Sequence, residues 1–233
     1  MSAPQAVPEA PPLPERSYTP EEEVYLRTHA RRYELLLDLV TGLAPQRILV
    51  VGPSFESALL REALPAAKVD TLGWEDHRFP RREGEHHTQL DLNDSDSPEL
   101  EAHDVIVCGE VIEHLHVALV PVLRFLSGGL SPGGSLVIQT PNATALPKRL
   151  RMLVGRNPYE PIRSTPQNPG HFHEYTVGEL QAALTEAGFE ITRLVTANYF
   201  DHGSRKNRAF RALGPVVPRT LREGITVVAR PRS

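Results

Sequence analysis

The feature that most restricts the fold is a short unbroken apolar run, RILVVG at 47–52, echoed by DVIVCG at 104–109 and SLVIQT at 135–140. A half-buried strand alternates apolar and polar residues. A run without alternation belongs to a strand covered on both faces, as in a parallel sheet under helices. Helical patterns lie between these runs, at 56–64 (ESALLREAL) and 117–126 (VALVPVLRFL). Further strands are expected at 68–74 (KVDTLGW), 86–92 (HHTQLDL), 189–196 (FEITRLVT) and 225–230 (ITVVAR), with a helix capped by Thr176 around 176–187. Ser131-Pro132-Gly133-Gly134 reads as a turn that introduces the strand at 135–140. Strands separated by helices imply right-handed crossovers and an α/β, doubly wound, seven-stranded, mostly parallel sheet with helices on both faces. A loop joins the last two strands, so one of them is expected to run antiparallel near the C-terminus.

Residues 1–18 are rich in Pro, Ala and Glu without apolar periodicity and read as a disordered leader. Thr19-Pro20-Glu21-Glu22 then signals a helix start: a capping threonine, a proline at the first helical position and a glutamate that closes a capping box. Leu26, His29, Tyr33, Leu36, Leu37 and Val40 follow at helical spacing, giving an N-terminal helix over 19–43 that packs at one end of a single domain, 19–233. Within it, 143–175 contains Pro158, Pro161, Pro166 and Pro169 and reads as an irregular segment covering a substrate.

A formal charge of -4 and a pI near 6.2 give no electrostatic reason to expect nucleic-acid binding. No apolar run approaches the roughly 20 residues of a membrane span, and the first residues lack the order of a secretory signal. A cytoplasmic location is the expectation. Cys108 falls in a predicted buried strand and reads as a small core residue.

In open sheets of this kind ligands lie outside the carboxyl ends of the strands, beside the first. There the chain runs Gly52-Pro53-Ser54 into a helix, with one glycine where dinucleotide enzymes have three, which disfavours a pyrophosphate cofactor and an oxidoreductase. The second strand ends in Trp74-Glu75-Asp76. Glu75, or alternatively Asp76, is placed to grip a ribose diol, with Trp74 as a wall. Asp91 and Leu92, at the end of the third, offer a carboxylate and backbone groups to an exocyclic amine.

Taken together, RILVVG, GWED, LDLND, DVIVCGEVIEHL, LSPGGSLVIQTPN and GHFHEYTVGELQAALTEAGFEI resemble, in order, the motifs of class I S-adenosylmethionine-dependent methyltransferases with a Rossmann-like fold. The resemblance spans about 30–198 and is nearest to small-molecule O-methyltransferases associated with glycans or lipids. It implies an enzyme with S-adenosylmethionine as cofactor, contacted by Gly52, Ser54, Glu75, Asp76, Asp91, Leu92 and Glu110. The implied acceptor is a hydroxyl on a sugar, lipid-linked or secondary metabolite. Two departures stand out: Val50 where the family usually has an acid, and Ser54 and Glu56 where it has glycines. They open the alternative of a fold-conserving binding protein without catalysis.

On the acceptor side, His114 is a candidate general base, together with His171 and His173 from the loop before the helix at 176–187. Arg149, Arg151 and Arg156 are candidates to recognise an acidic group. No metal is expected. The competing reading groups Glu110, Glu113, His114 and His171 as ligands of a divalent ion, resembling a family of small-RNA 2′-O-methyltransferases. The sequence is silent on oligomeric state.

Overall fold

The computed structural model describes residues 18–94, 98–165, 169–200 and 217–232. The predicted leader, apart from Tyr18, lies outside the described residues. Chain order is α1 (Pro20–Gly42), β1 (Arg47–Val51), α2 (Phe55–Ala63), β2 (Lys68–Gly73), β3 (His87–Gln89), β4 (His103–Gly109), a 3₁₀ turn (Ile112–His114), α3 (Leu119–Gly128), β5 (Leu130–Pro141), α4 (Leu146–Leu153), α5 (Val177–Glu186), β6 (Phe189–Ala197) and β7 (Gly224–Pro231). The seven strands form one sheet in the order β3-β2-β1-β4-β5-β7-β6. All neighbours are parallel except that β7 runs antiparallel to both β5 and β6. The expected doubly wound, Rossmann-like sheet and its antiparallel strand are therefore present.

Side chains alternate across a strand, and this explains the unbroken apolar run of β1. Ile48 and Val50 enter a core with Leu36, Leu39 and Val40 of α1. Leu49 and Val51 enter the opposite core, with Leu119, Leu123 and Leu126 of α3 and Leu180 and Leu184 of α5. Cys108 is fully buried in that second core, and burial pushes its thiol pKa up. At the start of α1 the capping box forms as read, with Thr19 accepting from the Glu22 N–H and Glu22 accepting from the Thr19 N–H.

The structure corrects several boundaries. β3 ends at Gln89, so Asp91 and Leu92 lie in the turn beyond it. Ser131–Gly134 is not a turn before β5 but part of it: Leu130 already pairs with His103, and the register shifts before Val105. Gly133, at φ 79°, allows the local bulge. The segment 143–175 is not irregular throughout, because α4 occupies its first third, with Pro147 in the first turn where a missing N–H costs nothing. No helix starts at Glu110, whose left-handed backbone (φ 54°) breaks the chain direction before the 3₁₀ turn. Among the described residues no helix is long and apolar enough to cross a membrane.

Candidate active site

Strand order reverses direction between β1 and β4, and the loops leaving these strands diverge there and open a crevice. A cavity of about 1090 Å³ fills this crevice. One side is built by Gly52 and Pro53 after β1, Gly73 to Asp76 after β2, Leu90 to Asn93 after β3, and Glu110, Val111, His114 and Leu115 after β4. The other is closed by Tyr25 and His29 of α1, Lys148 of α4, and Glu160, Arg163, Pro169, His171 and Glu174.

Gly52 and Gly73 both have positive φ, at 81° and 125°, and the Gly52 N–H donates to the Leu72 carbonyl at 2.7 Å. A side chain at Gly52 would meet nothing within 4 Å, so its absence leaves an open approach to backbone atoms. Glu75 stands at the rim, ion-paired with Arg81 at 3.1 Å, and Trp74 exposes 54% of its surface beside it. Asp76 is instead committed to Arg78, at 2.6 Å. Asp91 Oδ1 accepts from the backbone and side-chain N–H groups of Asn93, both at 2.9 Å. Leu92 lines the cavity next to it.

Ser54 is not among the cavity-lining residues. It caps α2 and its hydroxyl donates to Glu56 at 2.5 Å. Glu56 in turn holds Arg32 of α1 at 2.6 Å, with both side chains buried. Burial alone would lower the Arg32 pKa, but Glu56 together with Tyr33, Glu110 and Tyr25 outweighs it and keeps the guanidinium charged. Gln139 of β5 braces the pair, donating to the Arg32 carbonyl at 3.2 Å and to Thr226 at 3.1 Å. An apolar-stripe reading of α1 passes over Arg32, because a cation on the buried face contradicts the pattern that defines the stripe. The pair lies against the end of β4: a methyl at Gly109 would come within 3.1 Å of Glu56 and 3.3 Å of Arg32.

Past β4 the polar groups are closed off from water without full partners. Glu110 Oε1 and Glu113 Oε1 are buried and accept no hydrogen bond. Burial raises the pKa of both carboxyls; the Glu56 charge adds to the first and the Glu110 charge to the second. Glu113 Oε2 accepts from Thr140 at 3.0 Å. His114 Nδ1 is 2.9 Å from the Gly170 carbonyl, and its ring meets His171 edge to face with centroids 4.8 Å apart. His171 Nδ1 sits 2.9 Å from Glu174, which also pairs with Lys148. Burial lowers the His171 pKa to about 4, helped by His114. Burial likewise lowers Lys148 to about 8 against the pull of Glu110 and Glu113. One donor atom each from Glu113, His114 and His171 lies within 4.8 Å of the others, a trio that does not include Glu110.

His173, like Ser54, Arg149, Arg151 and Arg156, is a candidate that the structure does not bring to the cavity. It is exposed, 3.8 Å from Glu179, with its ring against Tyr175 at 4.7 Å. The loop turns His171 and Glu174 inward together and leaves the residues between them outside. Val50 likewise cannot reach a ligand, being packed in the core beneath α1.

The profile of a methyltransferase domain matches residues 31–194. The chain belongs to the methyltransferase domain family. It is a class I S-adenosylmethionine-dependent enzyme. A Mycolicibacterium smegmatis protein named a probable S-adenosylmethionine-dependent methyltransferase is 29% identical over 201 residues, which is 80% of this chain and 68% of the relative. Similar folds include an S-adenosylmethionine-dependent methyltransferase from Mesorhizobium loti (17% identical, 83% of this chain, 96% of that chain, TM-score 0.54). Another is the N-methyltransferase NodS from Bradyrhizobium japonicum in complex with S-adenosylhomocysteine (15% identical, 87% of this chain, 86% of that chain, TM-score 0.51).

The methyltransferase's own residues fit its cofactor. The open backbone at Gly52, the exposed indole of Trp74, the rim carboxylate of Glu75 and the turn at Asp91 offer the apolar wall and polar anchors that a nucleoside needs.

Proposed function

We propose that this methyltransferase acts on a hydroxyl group of a small acceptor, such as a sugar, lipid-linked or secondary metabolite. S-adenosylmethionine, when bound, supplies a methyl group on a positively charged sulfur. Gly52, Glu75, Asp91 and Leu92 hold its nucleoside, and Glu110 is placed for the methionine amine. What the chain must add is alignment of the acceptor and removal of its proton.

The observation that carries this reading is the hydrogen bond from His114 Nδ1 to the Gly170 carbonyl at 2.9 Å. A carbonyl only accepts, so Nδ1 carries a proton, and in the neutral ring the lone pair then lies on Nε2, where an acceptor hydroxyl can meet it. His171, neutral at pH 7 with a pKa near 4, does not compete by carrying a positive charge into the site. The segment 143–175 contributes Lys148, Glu160, Arg163, Pro169, His171 and Glu174 to the mouth, and closes over the acceptor. The test is product analysis by mass spectrometry after incubation with labelled cofactor and fractionated glycan, lipid and metabolite extracts. A methyl ether in the wild-type reaction, absent with His114→Ala, supports the proposal; a methylated amine or carbon replaces it.

A second reading has its own observation, the Glu113, His114 and His171 trio. Each imidazole is oriented through Nδ1 by an oxygen, as metal-bound histidines commonly are, and Glu113 Oε1 has no other partner. A divalent ion held there would ionise the hydroxyl in place of an imidazole base. Turnover that survives exhaustive chelation eliminates this reading; loss on chelation and recovery with added metal favours it.

A further inference from the structure

Six of the nine exposed large apolar residues described, Leu150, Met152, Leu153, Val154, Ile162 and Phe172, fall in the stretch that closes the cavity mouth. α4 concentrates them. Leu146, Leu150 and Leu153 recur at helical spacing and form one stripe, and no residue of the helix is buried. Leu153 is 81% exposed and Val154 70%. Lys148 projects from the opposite side of the helix, where it meets Glu174 at the cavity. The apolar stripe therefore faces away from the site.

The charges around this stripe are all of one sign. From Leu146 to Tyr159 the chain has Lys148, Arg149, Arg151 and Arg156 and no acid, in a protein of net charge -4. Arg149 flanks the stripe directly and Arg151 lies between it and the Lys148 side of the helix, and among the described residues neither they nor Arg156 form an ion pair. An acidic protein that gathers unpaired arginines around an exposed leucine stripe is complementary to a surface that is both negative and apolar within a few ångströms. An anionic lipid headgroup layer has that character, and a short amphipathic helix can lie in its plane with apolar side chains below the phosphates and arginines among them.

We infer that α4 docks this methyltransferase on an anionic membrane surface through the face it turns away from the cavity. The inference rests on the exposed face of α4 and stands whether or not the acceptor proposal is right.

The experiment is flotation of the full chain with vesicles of neutral phosphatidylcholine alone or mixed with anionic phosphatidylglycerol, at low and high salt. The variants are Leu150→Ser with Leu153→Ser, and Arg151→Glu with Arg156→Glu. S-adenosylhomocysteine binding is measured on the same samples to show that each is folded. Expected are binding to the anionic vesicles only, weakened by salt, and a drop of about tenfold for either double variant with ligand binding unchanged. Three results overturn the inference. One is wild type that stays with the soluble fraction at low salt, and another is equal binding by the leucine variant. The third is a vesicle-independent dimer that the leucine variant dissociates, which would assign the stripe to a second copy of the chain.

Discussion

The two ends of the parallel sheet are built from the same kinds of residue and treat them differently. At the amino end, Asp70 of β2 is buried, yet it is bonded to His103 at 3.0 Å, to Arg47 at 3.0 Å and to the His86 N–H at 2.7 Å. Asp104 accepts from the backbone of Gln46 and Arg47, both at 2.9 Å. At the carboxyl end, Glu113 is buried and Glu110 half-buried, and each has one buried oxygen left without a partner. Burial opposes both sets of charges. At Asp70 the hydrogen bonds outweigh it and hold the carboxyl well below the usual range; at Glu113 they do not, and the pKa rises. Buried polar groups are ordinarily satisfied, so an end of the sheet where they are not is held there by the rest of the fold for a purpose other than stability.

The largest expected effect falls on the carboxyl end. His114→Ala removes the proposed base and should lower turnover at least about 100-fold, with S-adenosylhomocysteine affinity and melting temperature near wild type. Steady-state rates and calorimetry on the same preparation check it. A variant that loses affinity in proportion to rate would make His114 a binding residue.

Next comes the amino end. Asp70→Asn strips a buried network of its charge and should cost about 3 kcal/mol of unfolding free energy without changing ligand affinity. Glu113→Gln should do the reverse, gaining up to about 1 kcal/mol while turnover falls. The two differ in pH dependence too. The folded pKa of Asp70 is depressed, so its stabilisation is full above its unfolded pKa near 3.8 and fades as pH falls through the folded value. The folded pKa of Glu113 is raised, so the penalty it imposes is full at high pH and relaxes as pH falls toward its unfolded value near 4.5. Urea melts of both variants from about pH 2 to about pH 8 separate the two behaviours, because the Asp70 contribution changes only below its unfolded pKa near 3.8 and the Glu113 penalty only above its unfolded pKa near 4.5.

Smaller effects test the rim. Lys148 loses its proton near pH 8, and with it the cation that pairs with Glu174. The kcat/KM profile should therefore fall above about pH 8, and Lys148→Arg should move that limb upward. His173→Ala, outside the cavity, should change rate less than about twofold.

This contrast explains what could be read from the sequence. Covalent neighbours carry the sheet: Ile48 to Val51 are apolar without a break because alternate residues feed two cores, and the helix spacing between runs dictates parallel order. The β2 and β3 tips follow from position alone, which is why Glu75 and Asp91 lie at the cavity as expected. The catalytic side depends on contacts that no local pattern encodes. His114 and His171 meet because Gly170, at φ 83°, lets the loop return over the 3₁₀ turn, where Phe172 N–H donates to the Glu113 carbonyl at 2.8 Å. Nothing distinguishes His171 from His173 in a string that contains both; only the direction of that loop does. Arg32 is hidden by the apolar stripe it interrupts, and Glu56 stands out in the sequence only as a departure from a glycine, with nothing local to show that it pairs with Arg32. α4 did carry a signal, the leucines at 146, 150 and 153, masked by the prolines that follow.

The most direct test is a calorimetric titration of S-adenosylhomocysteine into wild type, Glu75→Ala and Asp70→Asn. Losing the rim carboxylate's hydrogen bonds to a ribose should weaken binding about 10- to 100-fold, while Asp70→Asn, at the opposite end of the same strand, should bind as wild type does. Equal affinity in wild type and Glu75→Ala would contradict the assignment of the cofactor to the carboxyl end of the sheet.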